Sequence, residues 1–181
     1  MLDRRTRIQS DPGWTLELVR PDELDLMRRL FELYLYDFSE MEHADVDRNG
    51  WFLPDPERYV ARFWLDSWRQ AFLLRVAGKP AGFVLVEDRS PLPDSGHRRF
   101  ISAFFIMRAY RRRGLGEAMA LATFRHWPGE WQVLQIRANP EAQRFWRRVI
   151  DEATGGAYLE RWVSEREVVQ EFSIAAAGDG A

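Results

Sequence analysis

Apolar and polar residues alternate with a period of two in some stretches of the chain and recur every three to four residues in others. Residues 14–20 (WTLELVR) alternate, which predicts a half-buried strand. Pro21 and Asp22 then predict the start of a helix with Asp22 as its N-cap, and Asp55 before Pro56 predicts the start of a second helix. The N-terminal third is therefore expected to form one strand followed by two helices.

In the rest of the chain, apolar runs typical of strands alternate with segments in which apolar residues have helical spacing. Two runs on either side of Gly78-Lys79-Pro80 predict a hairpin, and the order of all elements, β-α-α-β-β-β-α-β-α-β-β, predicts an α/β mixed sheet flanked by helices. The predicted strands after the first are 71–78, 80–88, 98–107, 131–138 and two closing strands within 157–163 and 166–174, and the later helices are 114–126 and 140–150.

The composition is that of one folded domain. The chain has 181 residues, of which 46% are hydrophobic, and it has no cysteine, so a disulfide scaffold, a thiolate zinc site and a cysteine nucleophile are excluded. No apolar run approaches the roughly 18 residues of a membrane span, and residues 1–13 lack the apolar core of a secretory signal. We expect a flexible segment at 1–13, a single domain at 14–174, a disordered tail at 175–181, and a cytoplasmic protein with no membrane partner.

Charge is distributed unevenly along the chain. The formal net charge is only −2, but residues 22–47 contain nine acidic residues against two arginines, whereas residues 98–148 contain eleven arginines against three glutamates. The basic run at 108–113 does not interleave with exposed aromatic residues, and the acidic region would repel phosphate. We therefore expect no nucleic-acid partner.

The segment FFIMRAYRRRGLGEAMA, residues 104–120, joins an apolar strand to a helix through a basic turn with Gly114 and Gly116. The first amides of a helix have no internal acceptor and lie at the positive end of its dipole, so this turn is suited to a phosphate group. It is neither a Walker A loop nor a dinucleotide fingerprint, which would need glycine at Met119. A tight connection with solvated arginines is the simpler alternative.

A second motif follows the strand predicted at 131–138. The segment ANPEAQRFW has the form N-x-x-A-x-x-F-[YW] over Asn139, Ala142, Phe145 and Trp146. The chain resembles the GNAT superfamily of acetyl-CoA-dependent N-acetyltransferases in four respects taken together. These are this motif, the RRRGLG turn at 111–116, the spacing of one helix and one strand between them, and the order of the elements.

The resemblance implies a mostly antiparallel central sheet, with helices on both faces, in which two central strands splay apart and acetyl-CoA lies between them. Asn139 and Phe145 would contact the cofactor, although the first could equally cap a helix and the second could equally pack in the core. The cofactor-binding residues implied in this way are Phe105, Ile106 and Met107 through their main chain, the turn residues Arg111, Arg112, Arg113, Gly114, Leu115, Gly116 and Glu117, and Asn139 with Phe145.

The implied chemistry is direct attack of an amine on a thioester, which requires removal of a proton from the amine. Family members often protonate the leaving thiolate with a tyrosine at the position that Trp146 occupies here, so the general acid stays unassigned. The catalytic residues are therefore unknown, and the candidates are Glu87, His97, Ser102 and Tyr158.

The resemblance implies that the first two helices and the loop between them form one wall of the acceptor site. The acceptor is therefore expected near Tyr36, Asp37 and Glu40, in a long acidic and aromatic loop at 34–52. Such a wall would attract a cationic amine, whereas the simpler alternative is a solvated acidic surface. The run DVDRNG within this loop begins like a calcium loop but has Pro56 where a glutamate is needed, and the three histidines lack ligand spacing, so no metal is expected.

Two functional classes fit these observations. The first is an N-acetyltransferase that uses acetyl-CoA and acts on a small-molecule or peptide amine. The second is a non-catalytic acyl-CoA-binding or sensing module of the same fold, which Trp146 and a central strand without a carboxylate favour. A homodimer is possible, because eight tryptophans and the aromatic loop could form a subunit contact as readily as a substrate pocket.

Overall fold

The computed structural model describes residues 7–11, 13–52, 55–92 and 96–176. They form eight strands and four α-helices, with short 3₁₀ turns at Pro21–Glu23 and Arg108–Tyr110. The elements in chain order are β1 (Arg7–Asp11), β2 (Trp14–Leu18), α1 (Leu24–Glu42), α2 (Pro56–Leu65), β3 (Arg69–Val76), β4 (Lys79–Glu87), β5 (Arg99–Ile106), α3 (Leu115–His126), β6 (Gly129–Ile136), α4 (Pro140–Thr154), β7 (Tyr158–Trp162) and β8 (Glu167–Ile174).

All eight strands belong to one sheet with the order β1-β2-β3-β4-β5-β6-β8-β7. Every neighbouring pair is antiparallel except β5 and β6, which are parallel and are joined by the crossover helix α3. The expected α/β fold, a mixed and mostly antiparallel sheet flanked by helices, is confirmed. Among the described residues, no helix is long and apolar enough to cross a membrane.

The core has two layers, one on each face of the sheet. Phe83, Leu85 and Phe105 pack with α1 and α2, whereas Val84 and Ile106 belong to the cluster formed with α3 and α4. Because β4 is covered on both faces, its residues 81–86 are all buried, which explains the unbroken apolar run there.

The structure differs from the sequence-based expectation at the N-terminal end. Residues 7–11, expected within a flexible segment, pair with β2 as strand β1. Helix α1 continues to Glu42, so residues 34–42 of the acidic segment expected to be a loop are helical. Asp22 is not the helix cap: the segment begins with a 3₁₀ turn in which the Glu23 carboxylate accepts from the Arg20 amide at 3.0 Å. The expected tail lies partly outside the described residues.

The strands β3 and β4 form a tight hairpin whose two turn residues, Ala77 and Gly78, both have positive φ. Further along β4, Gly82 lies against β5. A Cβ placed on Gly82 would come within 2.2 Å of the Phe105 carbonyl oxygen and 3.0 Å of the Ile106 side chain. Only glycine therefore permits the close approach of β4 to the C-terminal end of β5.

Replacing Gly82 with alanine is expected to lower the free energy of unfolding by about 2–3 kcal/mol, because the added methyl group collides with main chain rather than with a flexible side chain. Gly78→Asn is the matched control, since nothing lies within 4 Å of a Cβ at Gly78 and asparagine tolerates its φ of 75°. Urea unfolding of both variants measures the difference. Equal, small losses in the two variants would contradict the steric explanation.

Candidate active site

The two central strands separate after a short parallel contact. Strands β5 and β6 pair only at Arg99–Trp131, Phe100–Gln132 and Ile101–Val133. Beyond this point β5 continues to pair with β4 as far as Ile106, and β6 continues to pair with β8 as far as Ile136. The result is a gap between β5 and β6, and the splayed strands expected from the sequence are present.

A β-bulge lies at the base of this gap. On β4, Leu85 pairs with Ala103 and Val86 pairs with Ile101, which leaves Ser102 as the extra residue of β5. A bulge bends its strand and increases the local twist. Ser102 therefore marks the point at which β5 turns away from β6.

The alternation of main-chain groups along β5 decides which of them face the gap. The Met107 amide donates to the Ala81 carbonyl at 2.9 Å, so the amides of Phe105 and Met107 point towards β4. The groups of Phe104 and Ile106 point the other way, into the gap. Of the three residues expected to offer main-chain groups, Ile106 does face the gap, while Phe104 was missed because the motif does not reveal strand register.

The turn from β5 to α3 presents free amides at the open end of the gap. Arg112 and Gly114 have positive φ, at 59° and 74°. The first α-helical hydrogen bond runs from the Ala118 amide to the Gly114 carbonyl at 3.0 Å, so the amides of residues 115–117 precede it and have no intrahelical acceptor. With the helix dipole and the neighbouring Arg112 and Arg113, these amides form a surface suited to an anion.

The second motif contacts the first. A Cβ on Gly116 would come within 3.4 Å of the Phe145 ring, which also lies 5.7 Å from the Phe104 ring between centroids. Asn139 caps α4, its side-chain oxygen accepting from the Ala142 amide at 2.9 Å. The helix-capping role of Asn139 and the packing of Phe145 against the core are thus confirmed, and their contacts to a cofactor stay predictions.

Comparison with known proteins identifies this arrangement. The sequence model of the acetyltransferase (GNAT) family matches residues 27–150, which is more than half of the chain and includes both motifs. The chain belongs to the GNAT family. Acetyl-CoA or coenzyme A is therefore its cofactor, and the gap and the free amides at 115–117 are features of this chain that fit it.

Solved structures of GNAT-type acetyltransferases share the fold. An acetyltransferase from Thermus thermophilus is 20% identical with a TM-score of 0.63, over 88% of this chain and 97% of that one. An acetyltransferase from Salmonella typhimurium that modifies the N-terminal serine of ribosomal protein L7/L12 is 10% identical with a TM-score of 0.64, over 93% and 99% of the two chains. The PaiA N-acetyltransferase from Thermoplasma acidophilum, in complex with coenzyme A, is 8% identical with a TM-score of 0.61, over 89% and 99%. No curated protein matches the chain.

One buried polar side chain lies on β6 beyond the end of its pairing with β5. Gln135 lies on β6 beyond the last residue that pairs with β5, and it is only 4% exposed. Neither its side-chain nitrogen nor its oxygen has a hydrogen-bond partner. Such a group is costly unless water or a ligand satisfies it. The sequence motif did not single out Gln135.

The three arginines of the turn differ in whether their side chains are bonded within the protein. Arg111 donates through Nε to the Ile106 carbonyl at 2.7 Å and through Nη2 to Asp37 on α1, and its amide donates to the Arg108 carbonyl. Arg112 is exposed, and the guanidinium of Arg113 lies 5.8 Å from the Tyr110 ring. Arg111 is thus engaged within the protein, whereas Arg112 and Arg113 remain beside the free amides.

The remaining members of the expected cofactor set lie in the first turn of α3. Leu115 packs against the core cluster on the α3 and α4 face. The Glu117 carboxylate is 3.3 Å from Nε of Arg148 on α4. Only the amides of these two residues, not their side chains, are therefore available to an anion.

The four candidate catalytic residues do not converge. Glu87 pairs with Phe100, about 17 Å along β5 from Phe105, and its carboxylate is 3.4 Å from Arg69. The His97 side chain is 70% exposed and lies beside Asp88, the residue that follows the end of β4. These positions lie at the paired end of β5.

Tyr158 and Ser102 complete the set. Tyr158 lies on the edge strand β7 in register with Phe172, which pairs in turn with Trp131 at the paired end of β6. Ser102 alone lies at the base of the gap, where its hydroxyl is 3.4 Å from the Leu85 carbonyl. The structure therefore brings one candidate to the gap and places the other three elsewhere.

Trp146, at the position where family members often have a tyrosine, is part of the core. Trp146 is 5% exposed, and its ring lies 4.9 Å from Phe104 and 6.2 Å from Phe124 between centroids. On the other face, Tyr34 of α1 lies edge-on to Phe105 at 6.2 Å, and burial raises its pKa well above the usual range. Tyr34 therefore stays protonated.

The expected acceptor residues lie on the last two turns of α1 rather than in a loop. Tyr36 is 60% exposed with its ring 6.4 Å from Phe52, and Glu40 is exposed. Asp37 is instead 14% exposed and paired with Arg108 and Arg111, so it does not offer a free carboxylate to an acceptor.

The segment after α1 folds back on the helix. The Phe52 amide donates to the Glu32 carboxylate at 3.2 Å, and the Arg28 guanidinium lies 4.9 Å from the Trp51 ring. Hydrogen bonds from the backbone amides of Trp51 and Asn49 lower the pKa of Asp47, which is used to close a turn. Within the described part of the chain, no group of three or more acidic or histidine side chains could hold a metal ion.

Asn139→Ala is expected to lower the free energy of unfolding by about 1 kcal/mol, because it removes the cap of α4. Asn139→Asp keeps a side-chain oxygen for the Ala142 amide but loses the amide donor, so it should be close to the wild type in stability. Thermal unfolding measures the first effect. If the Asn139 amide also donates to the cofactor, calorimetry should show weaker coenzyme A binding for the stable Asp variant, and unchanged binding would leave Asn139 with a capping role only.

Proposed function

We propose that this protein transfers the acetyl group of acetyl-CoA to a primary amine by direct attack, without a covalent enzyme intermediate. The gap between β5 and β6 carries the proposal, because it opens onto free helix amides at one end and onto main-chain groups of Phe104 and Ile106 along its side. A polyanionic thioester has complementary groups at both positions. The absence of cysteine from the sequence supports direct transfer.

The chain's own groups would perform three tasks. The amides of residues 112–117 and the side chains of Arg112 and Arg113 bind the pyrophosphate, and the gap-facing groups of β5 orient the pantetheine arm. Acetyl-CoA supplies the activated acetyl group. An amide on the gap side of β5, at Phe104 or Ile106, stabilises negative charge that develops on the carbonyl oxygen.

The acceptor we propose is a cationic amine, either a small molecule or an amino group of a protein. Tyr36 and Glu40 are exposed on α1 and support this choice, since an aromatic ring beside a carboxylate attracts a cation. Asp37 is no longer part of the proposed contact. The Salmonella enzyme acts on a protein N-terminus, but at 10% identity it offers only a reason to include peptides among the acceptors tested.

A second candidate is a non-catalytic acyl-CoA-binding module of the same fold. The observation that favours it is the buried Trp146, which cannot protonate a leaving thiolate, together with the position of Glu87, His97 and Tyr158 away from the gap. Such a module would bind coenzyme A without accelerating thiol release when an amine is added.

Thiol release from acetyl-CoA, measured with cationic, neutral and anionic amines and with peptides bearing free N-termini, separates the two candidates. We expect release that depends on a cationic amine, and we expect Glu40→Gln to raise the KM for that amine several-fold with a smaller effect on kcat. Glu152→Gln, which removes the same charge from an exposed position on α4, is the control. Turnover of anionic acceptors alone would contradict the proposed acceptor, and binding without release would favour the second candidate.

Substituting Arg112 and Arg113 together with glutamine is expected to weaken coenzyme A binding about tenfold and to reduce its dependence on salt, because two charges next to the pyrophosphate are lost. Arg58→Gln with Arg125→Gln removes the same charge from two exposed positions on α2 and at the end of α3. Isothermal calorimetry at two ionic strengths compares the two variants. An equal effect in both would mean that net charge, rather than the turn, determines affinity.

A further inference from the structure

One carboxylate joins the acceptor-side helix to the phosphate turn. Asp37 on α1 accepts from Arg108 at 3.0 Å through Nε and 2.8 Å through Nη2, and it also pairs with Nη2 of Arg111. Although it lies in the acidic region, its side chain is only 14% exposed. We refer to Asp37, Arg108 and Arg111 as the Asp37 cluster.

Arg111 connects this cluster to the gap. While Nη2 pairs with Asp37, Nε donates to the Ile106 carbonyl at 2.7 Å, and the guanidinium lies 5.8 Å from the Phe105 ring. The Ile106 carbonyl is one of the main-chain groups that face the gap. A single planar guanidinium therefore fixes both the end of β5 and the adjacent turn of α1.

Resting on the proposed function, we propose that Asp37 is a positioning residue for cofactor binding that acts through Arg111 on the end of β5. Asp37 orients the guanidinium, and the guanidinium holds the Ile106 carbonyl and the start of the phosphate turn in the geometry that receives the pantetheine arm. Asp37 contacts neither the cofactor nor the acceptor in this arrangement.

An alternative role for Arg111 makes the opposite prediction. If Arg111 bound the pyrophosphate directly, Asp37 would compete with the phosphate for it, and removing the carboxylate would tighten coenzyme A binding. The geometry favours the positioning role, because Nε and Nη2 of Arg111 and its amide are all engaged within the protein. Arg112 and Arg113 remain available for the phosphate.

The charge and the shape of Arg111 can be separated by substitution. Lysine keeps the positive charge but cannot bond the Ile106 carbonyl and Asp37 at once, since it lacks the planar fork. Asp37→Asn keeps the size of the side chain but removes the charge that orients the guanidinium. Both changes are therefore expected to weaken coenzyme A binding about tenfold.

The experiment measures binding of coenzyme A and of pantetheine, which lacks the pyrophosphate and the adenosine, to wild type, Asp37→Asn, Arg111→Lys and the double variant. Each of the three variants should lose affinity for both ligands by similar factors. The double variant should bind no more weakly than the single variant with the lower affinity, because both changes break the same connection. Glu42→Gln, an exposed carboxylate on the last turn of α1, is the control for charge. Circular dichroism and thermal unfolding verify that each variant is folded, and Asp37→Glu should restore part of the affinity.

Each other outcome overturns the inference. Tighter coenzyme A binding by Asp37→Asn would assign Arg111 to the phosphate, and unchanged binding would leave the cluster without a role in cofactor affinity. A loss for coenzyme A but not for pantetheine, or additive losses in the double variant, would show that the two residues act separately. If the wild-type protein bound no coenzyme A, the proposed function itself would fail, which is distinct from a wild type that binds and variants that do not differ from it.

Discussion

The structure depends on the separation of β5 from β6 while each strand keeps its other neighbour. A strand that loses a partner exposes main-chain donors and acceptors that must be satisfied in some other way. On β5 these are the groups of Phe104 and Ile106, and Arg111 satisfies the Ile106 carbonyl. The remaining groups are what a bound pantetheine arm can use, so the same separation that costs pairing within the sheet creates the proposed cofactor site.

Several features far apart in the sequence maintain this separation. Gly82 lets β4 follow β5 closely after the bulge at Ser102, so β5 can bend without losing its antiparallel partner. On one face, Phe145 fills the space between Phe104 and Gly116, which fixes the start of α3 beside the gap. The two sequence motifs therefore contribute the two sides of one packing contact.

The sequence predicted the features that depend on local chemistry. The strand-turn-helix at 104–120, the caps at Asp55 and Asn139 and the alternation in most strands need only near neighbours. Strand β1 was missed because residues 7–11 (RIQSD) contain a single apolar residue and show no alternation. The helical continuation of α1 was missed although Tyr34 and Phe38 keep a spacing of four. The pairing of Asp37 with Arg111 spans 74 residues and follows only from the packing of α1 beside the turn. Likewise, register alone places Glu87 and Tyr158 at the paired end of the central strands.

The aromatic rings also constrain where protons can move during the proposed reaction. On the α3 and α4 side, Phe104, Phe145 and Trp146 pack together, and none of these rings accepts a proton. On the opposite face Tyr34 lies beside Phe105, and burial keeps its phenol neutral. Tyr36 and Glu40, the residues proposed to bind the acceptor, are on the same helix as Tyr34. The proposed reaction would therefore remove the amine proton on the α1 face or through water. Around the end of β5, the α3 and α4 face therefore offers aromatic rings without a titratable proton, whereas the α1 face carries the phenol of Tyr34.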